Sequence, residues 1–89
     1  MKIIIAGAYA IGTHLARLLS REHDDIVVID ANEERLAGIG QDVDILTMEA
    51  SPTSIKVLKK AGAESADLFI AVTPDENQNV AACTLAKAL

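Results

Sequence analysis

The sequence predicts an α/β domain of Rossmann-like, three-layer form. A parallel sheet of four strands in the order 3-2-1-4 should carry helices on both faces. Three observations lead there. Four short aliphatic runs alternate with four helix-like segments, and strands alternating with helices imply a parallel sheet with right-handed crossovers. The runs are continuous rather than alternating, so each strand needs cover on both faces. The chain is 51% hydrophobic but only 2% aromatic, which calls for an aliphatic core of the kind a doubly covered sheet uses. At 89 residues there is room for a single domain, residues 1–89.

The elements follow in order. Ile3-Ile4-Ile5-Ala6 is the first strand, and residues 11–22 the first helix. On that helix Ile11, Leu15, Leu18, Leu19 and Glu22 share one face, with His14, Arg17 and Arg21 opposite. Ile26-Val27-Val28-Ile29 is the second strand, rich in β-branched residues. The helix after it, residues 33–39, is the weakest, being short and carrying Gly38, with Gly40 just beyond. Residues 44–47 carry the third strand through Ile45-Leu46, and residues 52–61 the third helix. Ser51 suits that helix as its cap, Pro52 as its first residue and Gly62 as its stop. Leu68-Phe69-Ile70-Ala71-Val72 is the fourth strand. Thr73-Pro74-Asp75-Glu76 reads as a capping box for a last helix over residues 75–88. Val80, Ala81, Ala82, Cys83, Leu85, Ala86, Ala88 and Leu89 make that helix apolar nearly all round, so it should pack against another copy.

Composition removes several classes of function. The net charge is −5, against the clustered basic surface that nonspecific nucleic-acid binding depends on. Lys56, Lys59 and Lys60 form one small basic cluster, read as a solvated helix face. No apolar run approaches the ~20 residues of a membrane-spanning helix. Met1-Lys2 leads straight into a strand, without the pattern of a signal peptide. The single cysteine, Cys83, leaves no intramolecular disulfide framework and fits a reducing, cytoplasmic setting. It reads as a small packing residue. His14 and His23 read as exposed, without partners at metal-ligand spacing. Neither a Ser-His-Asp set nor a Walker motif is present.

Chemistry concentrates at Gly7-Ala8-Tyr9-Ala10-Ile11-Gly12, between the first strand and the first helix. A dinucleotide-binding loop belongs at that place. Gly7 takes the position of the tight turn and Gly12 that of close helix–strand packing. Tyr9 stands where a middle glycine normally lets the backbone approach a pyrophosphate. The second strand ends in Asp30, eighteen residues after Gly12, where an acid normally holds the ribose hydroxyls of an adenosine. A carboxylate there favours NAD(H) or a plain adenine nucleotide over NADP(H). The helix start would offer N–H groups and a positive dipole end to a phosphate.

Each of these residues also has a plainer role open to it. Gly7 and Gly12 serve turn geometry and packing as well, and Asp30 suits a helix cap. The Tyr9 ring either blocks the site or points outward and donates a hydrogen bond to a phosphate. Thr73, Asp75 and Asn79 fall at the carboxyl edge of the sheet, the ligand side of a doubly wound fold. There Asn79 either contacts a ligand or is solvated beside a cap made by Thr73 and Glu76. Glu49 and Ser51 close the third strand, where an adenine ring would sit; capping is the better reading for Ser51.

These residues resemble the N-terminal regulatory domain of bacterial Trk/Ktr potassium-uptake proteins, the TrkA-N or RCK/KTN domain. The carriers are Met-Lys-Ile-Ile-Ile-Ala-Gly-Ala at the start, Gly12-Thr13-His14-Leu15-Ala16 and Asp25-Ile26-Val27-Val28-Ile29-Asp30. Ala66-Asp67-Leu68-Phe69-Ile70-Ala71-Val72-Thr73 with Asn79 downstream is the most specific. The resemblance covers the whole chain. It implies a cytoplasmic, non-enzymatic domain that binds NAD(H), ATP, ADP or AMP. Such a domain assembles as a homodimer or larger ring beneath a membrane potassium transporter and gates ion flow. It places Gly7, Gly12, Asp30, Thr73 and Asn79 at the ligand; the remaining loop residues Ala8, Tyr9, Ala10 and Ile11 and the strand-end Glu49 complete the expected site. Two departures stand out: Tyr9, and Met48-Glu49-Ala50-Ser51 where relatives often carry Gly-Asp. The family's domain also runs on through two further strands, so the chain reads as a truncated piece. Two alternatives stand beside this function: an assembly module that no longer binds nucleotide, and a fragment of an NAD-dependent oxidoreductase.

Overall fold

Four strands and four helices alternate along the chain in the computed structural model, which describes residues 1–22, 24–39 and 44–89. The elements are β1 (Lys2–Ala6), α1 (Ala10–Ser20), β2 (Asp25–Asp30), α2 (Glu33–Ala37), β3 (Ile45–Glu49), α3 (Ile55–Ala61), β4 (Leu68–Ala71) and α4 (Glu76–Ala88). A 3-10 turn at Ala63–Ser65 precedes β4. The strands form one parallel sheet in the order β3-β2-β1-β4. Fold class, strand order and direction all match the expectation from sequence.

Alternate residues of each strand point to opposite faces, and this builds two cores. Ile3, Ile5, Ile26, Val28 and Ile45 pack with Ala16 of α1 and Leu36 of α2 on one side. Ile4, Val27 and Ile29 pack with Leu58 and Ala61 of α3 on the other, where Phe69, Leu85 and Ala86 add partial cover. The continuous aliphatic runs are explained: each residue of Ile3-Ile4-Ile5 and Ile26-Val27-Val28-Ile29 faces one core or the other.

Several local expectations need correction. The inner face of α1 is Gly12, Ala16 and Ser20, turned by about 100°, one residue step, from the apolar stripe. Leu15 and Leu19 flank the core, while Ile11 is 64% exposed and Leu18 also lies outside. Small residues win the inner face because the helix lies so close to the loop before it. A Cβ on Gly12 would collide with the Gly7 carbonyl oxygen. The helix also ends at Ser20, leaving Glu22 in the following turn.

Two caps are displaced. Ser54, not Ser51, caps α3, its Oγ accepting from the Val57 N–H at 3.4 Å. Ser51 instead caps a local turn through the Thr53 N–H, and Pro52 is buried there rather than opening the helix. Both serines have the chemistry of a cap; the Ser-Pro turn takes the first, and the helix starts at the second. Gly62 does end α3, in the left-handed conformation at φ 88°. At α4 the cap is Asp75, whose carboxylate accepts from the Asn77 and Gln78 amides. The expected Thr73–Glu76 box does not form, because Thr73 is held by Asn79. Cys83 is exposed rather than packed. On α4 only Ala82 is fully buried, and Val80 is 66% exposed. The expectations for His23 and Gly40 fall outside the described residues.

Candidate functional site

The carboxyl ends of β1, β2 and β4 meet around a loop pinned from three sides. The Gly7 N–H donates to the Ile29 carbonyl at 2.8 Å, the Ala8 N–H to Oδ2 of Asp30 at 2.8 Å, and the Thr13 hydroxyl to the Ala8 carbonyl at 3.0 Å. Gly7 has φ 113°, a conformation that residues other than glycine rarely adopt. Its α-carbon also faces the end of β4: a Cβ there would sit 3.1 Å from both the Val72 carbonyl oxygen and the Thr73 side chain. The two loop glycines therefore have steric jobs at the place the motif assigns them.

Beyond the loop, α1 starts at Ala10 with Tyr9 as its N-cap, and no side chain caps its first amides. Such an uncapped helix start presents N–H groups and a partial positive charge. A small crevice of about 100 Å³ opens here, below the ~300 Å³ of an ordinary small-molecule pocket. Gly7, Tyr9, Ile29, Asp30, Ala31, Arg35, Pro52, Thr73 and Gln78 line it.

Asp30 is the electrostatic centre, only 4% exposed. Besides Ala8, its carboxylate accepts from the Asn32 N–H at 2.8 Å. Arg35 completes the shell, with Nε at 3.2 and 3.1 Å from the two oxygens and Nη2 at 3.0 Å from Oδ1. Burial pushes this carboxyl group upward in pKa. The hydrogen bonds from Arg35, Ala8 and Asn32, with the Arg35 charge, outweigh it and hold the group below the ordinary carboxylate value. The Asp30 partnership in turn raises the Arg35 guanidinium above its usual pKa. The guanidinium also lies over the Tyr9 ring, 4.0 Å from its centroid. Tyr9, Arg35 and Asp30 thus form one stacked unit in the crevice wall.

Of the residues singled out in the sequence, Gly7, Tyr9, Asp30 and Thr73 line the crevice, and Ala8 joins it through its amide. Ala10, Ile11 and Gly12 form the first turn of α1. Asn79 does not line it; its amide clamps the loop after β4. Its Oδ1 accepts from the Thr73 N–H at 3.0 Å and the Thr73 hydroxyl at 2.6 Å, and its Nδ2 donates to the Thr73 carbonyl at 2.9 Å. Glu49 pairs in register with Asp30 at the end of β3 but faces a separate surface hollow beside α2. As lining residues, Ile29, Ala31, Arg35, Pro52 and Gln78 are not singled out by the sequence. Arg35 carries a legible signal: a cation five residues beyond the strand-end acid, on the helix that follows.

The family model for the TrkA-N domain matches residues 3–89. The chain belongs to the TrkA-N domain family. A Trk system potassium uptake protein TrkA homolog from Pyrococcus abyssi is 44% identical over the whole chain, which spans 39% of that protein. The Trk system potassium uptake protein TrkA of Halomonas elongata is 43% identical, and the chain spans 20% of it. The chain therefore covers well under half the length of these relatives. Among solved structures, the Shewanella denitrificans Kef CTD in its AMP-bound form superposes with a TM-score of 0.84 at 22% identity, covering 99% of this chain and 52% of that one. The NAD(P)-binding domain of an exopolyphosphatase-related protein from Archaeoglobus fulgidus gives 0.82 at 19% identity, over 97% of this chain and 64% of that one. At such identities these structures speak to the fold, and both share the TrkA-N domain's Rossmann-like sheet. Among the described residues no three His, Cys, Asp or Glu side chains group as metal ligands. Nor is any described helix of this TrkA-N domain long and apolar enough to cross a membrane.

Proposed function

We propose that this TrkA-N domain is a nucleotide-binding regulatory module of a potassium-uptake system. On this reading it works on the cytoplasmic side, peripheral to the inner membrane through its contact with a membrane transporter subunit. It carries out no reaction of its own. The observation that supports the reading most is the crevice where β1, β2 and β4 end. A glycine-cornered loop, an uncapped helix start and a buried strand-end acid converge there in the order a nucleotide site needs. The names of the relatives supply the potassium system. NAD(H) or an adenine nucleotide (ATP, ADP or AMP) is the expected ligand, with Gly7, Ala8, Tyr9, Ala10, Ile11, Gly12, Asp30 and Thr73 about it. Asn79 then acts by holding Thr73, whereas Glu49 faces the separate hollow beside α2 and lies outside the crevice lining.

Regulation follows if the nucleotide prefers one arrangement of an assembled dimer or ring and shifts its population. The exposed Val80 on α4 supports self-association. A sedimentation coefficient that remains monomeric well above micromolar concentration counts against it. Calorimetry with NADH, NAD, ATP, ADP and AMP tests the binding; folded protein giving no saturable heat with any of them ends the nucleotide reading.

One observation favours a second reading, an assembly module without ligand. The Asp30 carboxylate is already surrounded by the chain's own donors, and Tyr9 narrows the crevice. Tyr9→Gly separates the two. Binding created by that change means the phenol fills the site, whereas weakened binding means Tyr9 touches the ligand. A fragment of an NAD-dependent oxidoreductase is the third reading. It lacks support at the crevice, whose titratable groups are Tyr9, Asp30 and Arg35, the last two paired with each other. A substrate-dependent change in NADH absorbance would revive it.

A further inference from the structure

The acceptor capacity of Asp30 is already spent. A carboxylate offers about four lone-pair sites. Here they face the Ala8 and Asn32 amides and the Nε and Nη2 groups of Arg35, within 2.8–3.2 Å. The hydroxyls of a ribose would have to donate to this same carboxylate. The two amides are fixed by the backbone of the loop and of the α2 entry. Arg35 is the one partner on a flexible side chain, and that side chain is one-third exposed. A ribose on Asp30 therefore requires the guanidinium to leave.

Where it goes is set by what lies beside it. Arg35 rests on the face of Tyr9, the N-cap of α1. A guanidinium sliding off Asp30 along that face stays in the crevice, at the helix start where a phosphate is favoured. Among the described residues its Nη1 group has no acceptor. A phosphate would replace the lost carboxylate with an anionic partner of matching fork geometry. A bare nucleoside would leave the cation unpaired.

Resting on the nucleotide reading, we propose that Arg35 is the specificity-determining residue of this crevice. It selects phosphorylated adenine ligands over the nucleoside by yielding Asp30 to the ribose and pairing with the phosphate. Tyr9, in the middle-glycine position, is the platform for that exchange.

Titration calorimetry of the full chain with adenosine and with AMP tests it, using the parent and Arg35→Ala. In the parent, AMP binds more tightly than adenosine. In the variant the two ligands respond in opposite directions. AMP weakens by about tenfold as the charged partner is lost, and adenosine strengthens because Asp30 is open. Parallel weakening of both, or no change in either, overturns the exchange while leaving a nucleotide site in place. Absence of binding by AMP, ATP and NAD to parent and variant alike removes the nucleotide reading itself. Should Arg35→Ala fail to fold, the Nε–H resonance of Arg35 in the parent decides. Saturation with AMP must move it from its Asp30-bonded position, and an unmoved signal overturns the proposal.

Discussion

Ile3-Ile4-Ile5-Ala6 and Leu68-Phe69-Ile70-Ala71 look alike as sequences, yet they end in different surroundings. In β1 these residues are all buried; in β4 none is, and Leu68 is 44% exposed. The difference comes from the sheet order. β1 and β2 are its inner strands, with helices above and below, whereas β4 is an edge strand covered chiefly by α4. Burial on both faces belongs to a strand's place in the sheet as well as to its composition. The crevice straddles the two regions, taking its carboxylate from β2, its guanidinium from α2, and Thr73 and Gln78 from the flank.

Substitutions can break that contrast. The largest effect is expected at the joint between β1 and α1. Gly12→Val forces a side chain into the Gly7 carbonyl and should cost about 4 kcal/mol, read as a fall in denaturant midpoint. Leu58→Ala opens a hole under the inner strands and should cost about 3 kcal/mol in the same measurement. Asp30→Asn should cost about 2 kcal/mol at neutral pH, since it removes a buried acceptor of charge-assisted bonds.

The pH dependence of Asp30 has a definite sign. Its carboxyl is held below the unfolded value in the folded chain. The stability it contributes is therefore present above about pH 4 and is lost as pH falls through the folded pKa. Chemical denaturation across that range should show the parent and Asp30→Asn converging in acid. At the other extreme, Val80→Ser on the flank should change stability by about 0.5 kcal/mol or less. If Val80→Ser costs as much as Leu58→Ala, the distinction between inner pair and flank collapses.

Much of this architecture is legible in the chain itself. The four runs give the strands, their continuity gives the three layers, and Gly7, Gly12 and Asp30 locate the crevice. What escapes depends on distances that periodicity does not encode. The stripe Ile11, Leu15, Leu18, Leu19 reads well as an inner face. The true face is set by how closely Gly12 lets α1 approach the loop. Ser51 and Thr73 have the chemistry of caps, but Ser54 and Asp75 take the role because a Ser-Pro turn and the Asn79 clamp claim the first pair. Arg35 is visible as a cation five residues past Asp30, but that the two pair depends on where a five-residue helix aims it.

The contact between Gly12 and Gly7 has a mechanical side. With no side chain between them, the loop and α1 meet backbone against backbone, and the joint has no compliant packing to absorb a push. A displacement of the loop would therefore meet the first turn of α1 directly, with no side chain between to yield.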